Sequence, residues 1–394
     1  MTDTQDTAAM VPMHDPEVLL EQARKMLELH QAGTTTLAEE VYRQPVSTYL
    51  DDARAVAERR ELFMRTPQVA CMSCELPEVG SQVALRVADV PVLVVRDESG
   101  DVQGFLNSCR HRASTVLEGR DCGRRMVCPY HGWTYDLGGT LVGLPGAEGF
   151  EGLDREQHGL VPVEVEERHG LVWVTLESGG PSLDEHLGPL GEELDRLNLG
   201  ELHHHETREI RSNCNWKLAM DTNTESYHFP ALHKDSIGPF TMGNLNVFEP
   251  LGRSLRLTFS AVTLPMLADQ SEEQWRPQDH LQFVYLIHPN VSLLVTGDHA
   301  QLFRIHPDGA PDRAATWHGM YSRVPLDNAD AELTAAGQFE LFHGVVRDED
   351  MPCAETIQTT LASGANTHLS FGRNEPALHH LHRGYDDALA DSHN

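Results

Sequence analysis

The period of the hydrophobic positions changes along the chain. Across 15–32, Leu19, Leu20, Ala23, Met26, Leu27 and His30 recur at helical spacing and Gly33 closes the run, which predicts an N-terminal helix. Residues 51–64 read as a second helix, charged on one face. From about Gln68 the period shortens. Stretches 83–87, 91–96 and 102–107 alternate or run apolar, with turns at Asp89 and Glu98-Ser99-Gly100, and Leu137-Gly138-Gly139-Thr140 reads as a hairpin turn. His169-Gly170-Leu171-Val172-Trp173-Val174 closes this β-rich region, and Ser178-Gly179-Gly180-Pro181 is a linker. After a helical patch, a strand is expected from His203 to Ile210. Four consecutive antiparallel strands come next at 281–287, 291–296, 301–305 and 316–323, then a long amphipathic helix at 330–346. Strands followed by a long helix predict an α+β fold. The expected organisation is a helical arm over 1–67, an all-β domain over 68–178 and an α+β domain over 179–394. No chemistry is visible in the arm.

Composition narrows the partners. The 394 residues suit two domains and an arm. Thirty basic against sixty acidic residues give a net charge of −30, which argues against nucleic acid or an anionic membrane as partner. Seven Cys without a secretory pattern point to a reducing, cytoplasmic setting, and no run is long enough to span a bilayer.

The chemistry concentrates in two places. In the first, Cys109-Arg110-His111 is followed after sixteen residues by Cys128-Pro129-Tyr130-His131-Gly132-Trp133. Zinc accepts two Cys and two His, but finger patterns group the two Cys together and the two His together. Here each loop carries one of each. That suits a [2Fe–2S] cluster with one iron on Cys109 and Cys128 and the other on His111 and His131, the Rieske arrangement. In the second, Asp221, Glu225 and His228 fall at helical spacing, Pro230 is expected to disturb that helix, and His233 comes from an irregular turn. Two imidazoles converging in this way need one carboxylate to complete a 2-His-1-carboxylate set for Fe(II). Three other motifs carry no such chemistry. His203-His204-His205 must alternate faces on a strand, Cys71-x-x-Cys74 reads as two strand residues facing opposite ways, and His158 and His169 read as structural.

Both cluster loops resemble those of Rieske non-haem iron oxygenases, the catalytic α subunits of aromatic ring-hydroxylating enzymes. The run from Asn215-Trp216-Lys217 through Tyr227-His228 to His233 resembles that family's iron-binding signature. The resemblance implies a Rieske domain followed by a helix-grip catalytic domain. It makes His228 and His233 iron ligands, with Asp221 as support. It places Glu225 where the family has a carboxylate, often Asp, that bridges the second cluster His of one subunit to an iron-bound His of the next. The segment 347–358 resembles the family's third-ligand region. Asp350 matches the ligand position, with Asp348 and Glu349 as alternatives.

The activity this implies is insertion of O2-derived oxygen into a small organic substrate. Ring hydroxylation of an aromatic compound comes first. The alternatives are a monooxygenase acting on a quaternary ammonium compound and a non-enzymatic electron carrier. An ammonium site calls for an aromatic cage, and only 6% of the residues are aromatic. Phe240, Met242, Leu245, Phe248, Phe283 and Phe303 are candidate pocket walls. No Gly-x-Gly-x-x-Gly follows a strand, so NAD(P)H would be used by a separate reductase, with or without a ferredoxin. The bridge implies a head-to-tail homotrimer.

Overall fold

The computed structural model describes residues 14–391. The arm opens with the helix Pro16–Ala32. The Asp15 side chain caps it by accepting the Glu17 N–H, and Gly33 ends it in the left-handed conformation at φ +64°. Leu19, Ala23, Met26 and Leu27 are buried in a core shared with the sheet of the α+β domain. Further on, Tyr42–Pro45 pairs antiparallel with His368–Phe371. The arm is therefore stitched to the α+β domain at both ends. The second expected helix divides in two, an α-helical Asp52–Glu58 and a π-helical turn Arg59–Met64.

The β domain is built on a seven-stranded sheet. Its order is Gln68–Met72, Leu171–Thr175, Pro162–Arg168, Val102–Leu106, Val90–Arg96, Ser81–Val87, Arg120–Cys122. A smaller sheet of Met126–Val127, Thr134–Tyr135 and Leu141–Gly143 carries the second Cys–His loop. Cys71 and Cys74 are not two residues of one strand. Cys71 is buried in Gln68–Met72, while Cys74 lies in the 3-10 turn Ser73–Glu75.

The α+β domain is a seven-stranded antiparallel sheet ordered His203–Ser212, Ala314–Ser322, His299–Pro307, Val291–Val295, Leu281–Ile287, Ser254–Ala261, Thr241–Leu251. The long helix Ala329–Val345 runs into a π-helical turn, Val346–Asp350, and on into the helix Met351–Leu361. Val346, Met351, Ala354 and Leu361 pack into one core with Leu257, Phe259, Phe303 and Ile305 of the sheet. The hairpin at the sheet's far edge and the C-terminal helix Pro376–Asp391 carried no clear period in sequence. Gly243, Asn244 and Pro250 interrupt the first of these strands.

The two domains meet along a polar seam. Glu75 accepts hydrogen bonds from the Tyr321 hydroxyl at 2.6 Å and from Arg120 at 2.8 Å. The Ala88 N–H donates to His306 Nδ1 at 3.2 Å, and the Gly309 N–H donates to Asp89 at 2.8 Å. No helix among the described residues is long and apolar enough to cross a membrane.

Candidate metal centres and the adjoining cavity

The two Cys–His loops are locally the same structure. In the first, the Cys109 N–H donates to the Ser114 carbonyl at 2.8 Å and the Ala113 N–H donates back to Cys109 at 2.9 Å. In the second, the Cys128 N–H donates to Trp133 at 2.8 Å and the Gly132 N–H donates to Cys128 at 3.0 Å. In each loop the fifth residue, counting from Cys, takes positive φ, Ala113 at +59° and Gly132 at +71°. Such a turn points the Cys side chain inward and leaves the loop His two or three residues on at its rim. Cys109 and Cys128 are buried. The His111 and His131 rings lie 4.6 Å apart, and His111 stacks on Trp133 at 4.9 Å. Burial, then the neighbouring Cys128 thiol, pushes the Cys109 thiol up, while the Tyr135 hydroxyl at 3.4 Å opposes this. His111 Nδ1 is buried without a hydrogen-bond partner. Two inward thiols, two adjacent imidazoles and an orphaned ring nitrogen fit a [2Fe–2S] cluster.

The second constellation is assembled from distant segments. The helix Trp216–Asp221 is capped by Asn215, whose side chain accepts the Lys217 N–H. It ends at Asp221, so Glu225 and His228 are not on it. Pro230 sits in the first turn of a new short helix, Phe229–Leu232, and starts that helix rather than breaking it. The intervening turn is organised by Glu225, whose carboxylate accepts from the Tyr227 and His228 N–H groups and from His228 Nδ1. This leaves His228 Nε2 turned toward His233 Nε2 at 3.1 Å.

The π turn Val346–Asp350 sorts three successive acids into three environments. Asp348 is exposed and paired with Arg347. Glu349 takes His233 Nδ1 at 2.7 Å and the Ser236 hydroxyl at 2.9 Å. Asp350 is buried, with Oδ1 at 3.2 Å from His233 Nε2 and 3.6 Å from His228 Nε2. One atom from each of His228, His233 and Asp350 lies within 4.8 Å of the others. Each ring meets the common point through Nε2 and a second carboxylate through Nδ1, the arrangement that orients metal-bound histidines. Burial raises the Asp350 carboxyl, and the two rings oppose it. Burial also works against charge on His233, but Asp350 and Glu349 outweigh it and hold the ring above its ordinary value. Both shifts favour the proton-bound form of each group, and a bound cation would take the place of those protons. The donor set fits a mononuclear non-haem iron.

The supports come from the parts of the chain where no chemistry was visible. Asp221 accepts from the arm's Tyr49 hydroxyl at 2.8 Å and meets His382 Nε2 of the C-terminal helix at 2.9 Å. Lys217 is buried against Glu58 of the arm, Nζ to Oε2 2.6 Å, and Trp216 Nε1 donates to the same oxygen at 3.2 Å. Burial pulls the Lys217 ammonium below its ordinary value and Glu58 opposes that pull. Glu58 falls on the arm helix with the charged face, but nothing in the sequence names its partner.

A cavity of about 310 Å³ opens beside His233 and Asp350. Phe229, Phe240, Phe259, Phe303 and Phe342 form most of its aromatic wall. Of the expected walls, Phe240 and Phe303 line it. Leu245 and Phe283 are buried in the core on the other side of the sheet with Met242 against them, and Phe248 packs toward His380. Strand alternation explains the difference, because Gln282 and Val284, which flank Phe283, are the residues that face the cavity.

Each domain matches a known family. Residues 66–155 match the Rieske [2Fe-2S] domain, and residues 199–391 match the ring hydroxylating alpha subunit catalytic domain. The chain belongs to the family of Rieske oxygenase α subunits. It is 30% identical over 231 residues to the glycine betaine monooxygenase oxygenase subunit of Pseudomonas aeruginosa, covering 58% of this chain and 52% of that protein. It is 32% identical over 188 residues to the biphenyl 2,3-dioxygenase alpha subunit of Rhodococcus jostii, covering 46% of this chain and 41% of that one. The chain thus spans about half the length of the curated relatives it matches. A quaternary ammonium Rieske monooxygenase shares the fold with a TM-score of 0.74 at 18% identity, covering 88% of this chain and 96% of that one.

Proposed function

We propose that this chain is the terminal oxygenase of a multicomponent system, acting on a small, predominantly apolar organic compound, with an aromatic ring as the favoured target. The observation that carries the reading is the pairing of a three-donor metal site with a Phe-lined cavity directly beside it. An electron carrier has no use for either. In this reading Cys109, His111, Cys128 and His131 hold a Rieske cluster, and His228, His233 and Asp350 hold the mononuclear iron. When bound, these groups supply one-electron storage and O2 activation.

The chain's own residues do the rest. Glu225 and Glu349 hold the protons on Nδ1 of His228 and His233, which fixes the tautomer and keeps both Nε2 atoms free to ligate. The phenylalanine wall excludes water and aligns a flat apolar body. His131 lies on the exposed rim of its loop, so it is free to meet a neighbouring copy. Glu225, already on His228, would then bridge to His131 of the partner subunit in a head-to-tail homotrimer. NAD(P)H would be consumed by a separate reductase, and a cytoplasmic location suits that supply.

Glu in place of the family's usual Asp at the bridge, together with five phenylalanine rings around one cavity, supports a second reading, a monooxygenase of a quaternary ammonium compound held by cation–π contacts. Low aromatic content does not favour it, but five of the twelve phenylalanines line this cavity. Turnover under labelled O2 with a neutral arene, a benzoate-like acid and a trimethylammonium compound separates the two. A labelled phenol or diol supports the first reading and aldehyde release the second. No label in any product, with both metal sites loaded, sinks the oxygenase reading for this substrate range.

A further inference from the structure

Several polar groups on the cavity wall take no part in the metal site, and one of them, His299, has a ring nitrogen without a partner. His299 opens the strand His299–Pro307, just after the hairpin turn from Val291–Val295. It is buried, and it lines the cavity with Thr296, Phe303 and Phe342. Its ring is held from one side. Nδ1 lies 2.7 Å from Asp298 Oδ1 and 2.9 Å from the Thr296 hydroxyl. That hydroxyl donates to the same Asp298 oxygen at 2.9 Å, and Gln338 Nε2 donates to the other at 2.8 Å. Burial works against charge on Asp298, but His299, Thr296 and Gln338 outweigh it and keep the carboxyl well below the usual range. An ionised carboxylate only accepts. Nδ1 therefore carries the hydrogen, and in the neutral ring the lone pair sits on Nε2. Nε2 is buried and has no hydrogen-bond partner. A buried acceptor left open calls for a partner, which a bound molecule can supply.

Resting on the oxygenase reading, we propose that His299 is a specificity-determining residue. Its Nε2 accepts a hydrogen bond from an O–H or N–H group of the substrate while the Phe wall holds the substrate's apolar ring. The substrate class comes from the lining. No lining residue of the cavity is Lys or Arg, and Asp350 and Glu225 stand at the metal end, so a carboxylate-bearing compound has no counter-charge there. The fitting ligand is an uncharged aromatic compound with one hydrogen-bond donor. Asp298 is a positioning residue, since it acts only by fixing the tautomer of His299.

The test uses indole and indene, which share a shape and differ in the N–H. Their affinities for the metal-loaded protein are measured by calorimetry without reductant. Wild type is expected to bind indole roughly tenfold more tightly than indene, the weight of one net hydrogen bond to a buried partner. H299F keeps an aromatic ring and removes the acceptor, so the two affinities should converge to within about twofold. D298N keeps the ring and loses the enforced tautomer, so the preference should fall several-fold with indene binding unchanged. Indole-3-carboxylate should bind wild type more weakly than indole. Equal wild-type affinities, binding of neither probe, or an indole preference that survives H299F overturns the proposal. If H299F does not fold, an undiminished preference in D298N does so instead. Labelled-oxygen incorporation run in parallel separates the two readings. A His299-dependent preference with no oxygen incorporated defeats the oxygenase assignment alone. Incorporation with no dependence on His299 defeats this inference alone.

Discussion

The four candidate donors of the Cys–His loops lie within the 23 residues from Cys109 to His131, on two turns that repeat one another bond for bond. The three candidate donors at the cavity span 123 residues, from His228 to Asp350, and their supports reach from Tyr49 to His382. Each cluster turn closes its own hydrogen bonds and needs little beyond a neighbouring hairpin. The mononuclear site exists only when the arm, the signature helix, the π turn and the C-terminal helix have all docked. Local construction should fail one residue at a time. Distributed construction should fail through contacts far from the metal.

The largest break in that comparison should come from Asp350→Ala. With one of three donors gone, mononuclear iron affinity should fall by more than about 100-fold, beyond the range seen for outer partners. Metal analysis should find that iron lost while the cluster's visible absorption is unchanged. Retention of all iron would mean that the third donor lies elsewhere.

Glu58→Ala tests the distributed support. It strands the buried Lys217 ammonium, for which a loss of about 3–5 kcal/mol is expected in denaturant unfolding. Converting Lys217 to Met in the same background should recover much of it. Glu349→Gln should weaken iron binding by about 10–100-fold through His233, with global stability little changed.

The seam between the two regions gives a pH dependence. Burial, then Arg304, lowers the His306 pKa from 6.5 to about 3. Above pH 6.5 the ring is neutral in both the folded and unfolded chain and contributes no slope. Below that value the unfolded chain takes up a proton that the folded chain refuses until about pH 3, so stability falls as pH falls through that window. Each unit is worth about 1.4 kcal/mol. Between about pH 7 and 5, denaturation of wild type should show an acid loss about 2 kcal/mol greater than that of His306→Gln. Equal losses would remove His306 from the acid limb.

The smallest effects probe whether the two cluster turns are equivalent. Gly132→Ala puts a Cβ at φ +71° and 3.3 Å from Pro145 Cγ, for an expected cost of about 1–2 kcal/mol. Ala113→Gly relieves the same strain in the other loop and should gain up to about 1 kcal/mol, less the entropy of an added glycine. Calorimetric melting of both should show opposite signs.

Legibility in the sequence divided along the same line. The two Cys–His loops could be picked out because residue type and spacing are both local, and 281–287 coincides with the strand Leu281–Ile287 because alternation is a property of the strand itself. His228 and His233 could be marked as a pair, and the family resemblance favours Asp350 among the acids 348–350, but residue type and spacing alone do not separate the three; the π turn does, by turning Asp350 alone toward both Nε2 atoms. The arm was read as inert because Tyr49 and Glu58 show their partners only after docking. Phe283 was assigned to the wrong face because alternation says that one face differs from the other, not which one meets a cavity. His299 left no signal at all, since an Asp-His pair at a hairpin tip is common on surfaces.

The turn Val346–Asp350 has a consequence for how such a chain can change over time. A π-helical turn holds one residue more than the α-helix would need over the same rise. Deleting a single residue there would restore a regular helix with the helix Met351–Leu361 still in register, and the side chains within the turn would be redistributed about the axis by up to about 100°. The sorting of the three acids would be lost even though every flanking residue was still present. The position of the buried acid is specified by a count as much as by an identity. Lineages should therefore tolerate exchange of the exposed acid at 348 far more readily than any gain or loss of length between 346 and 350.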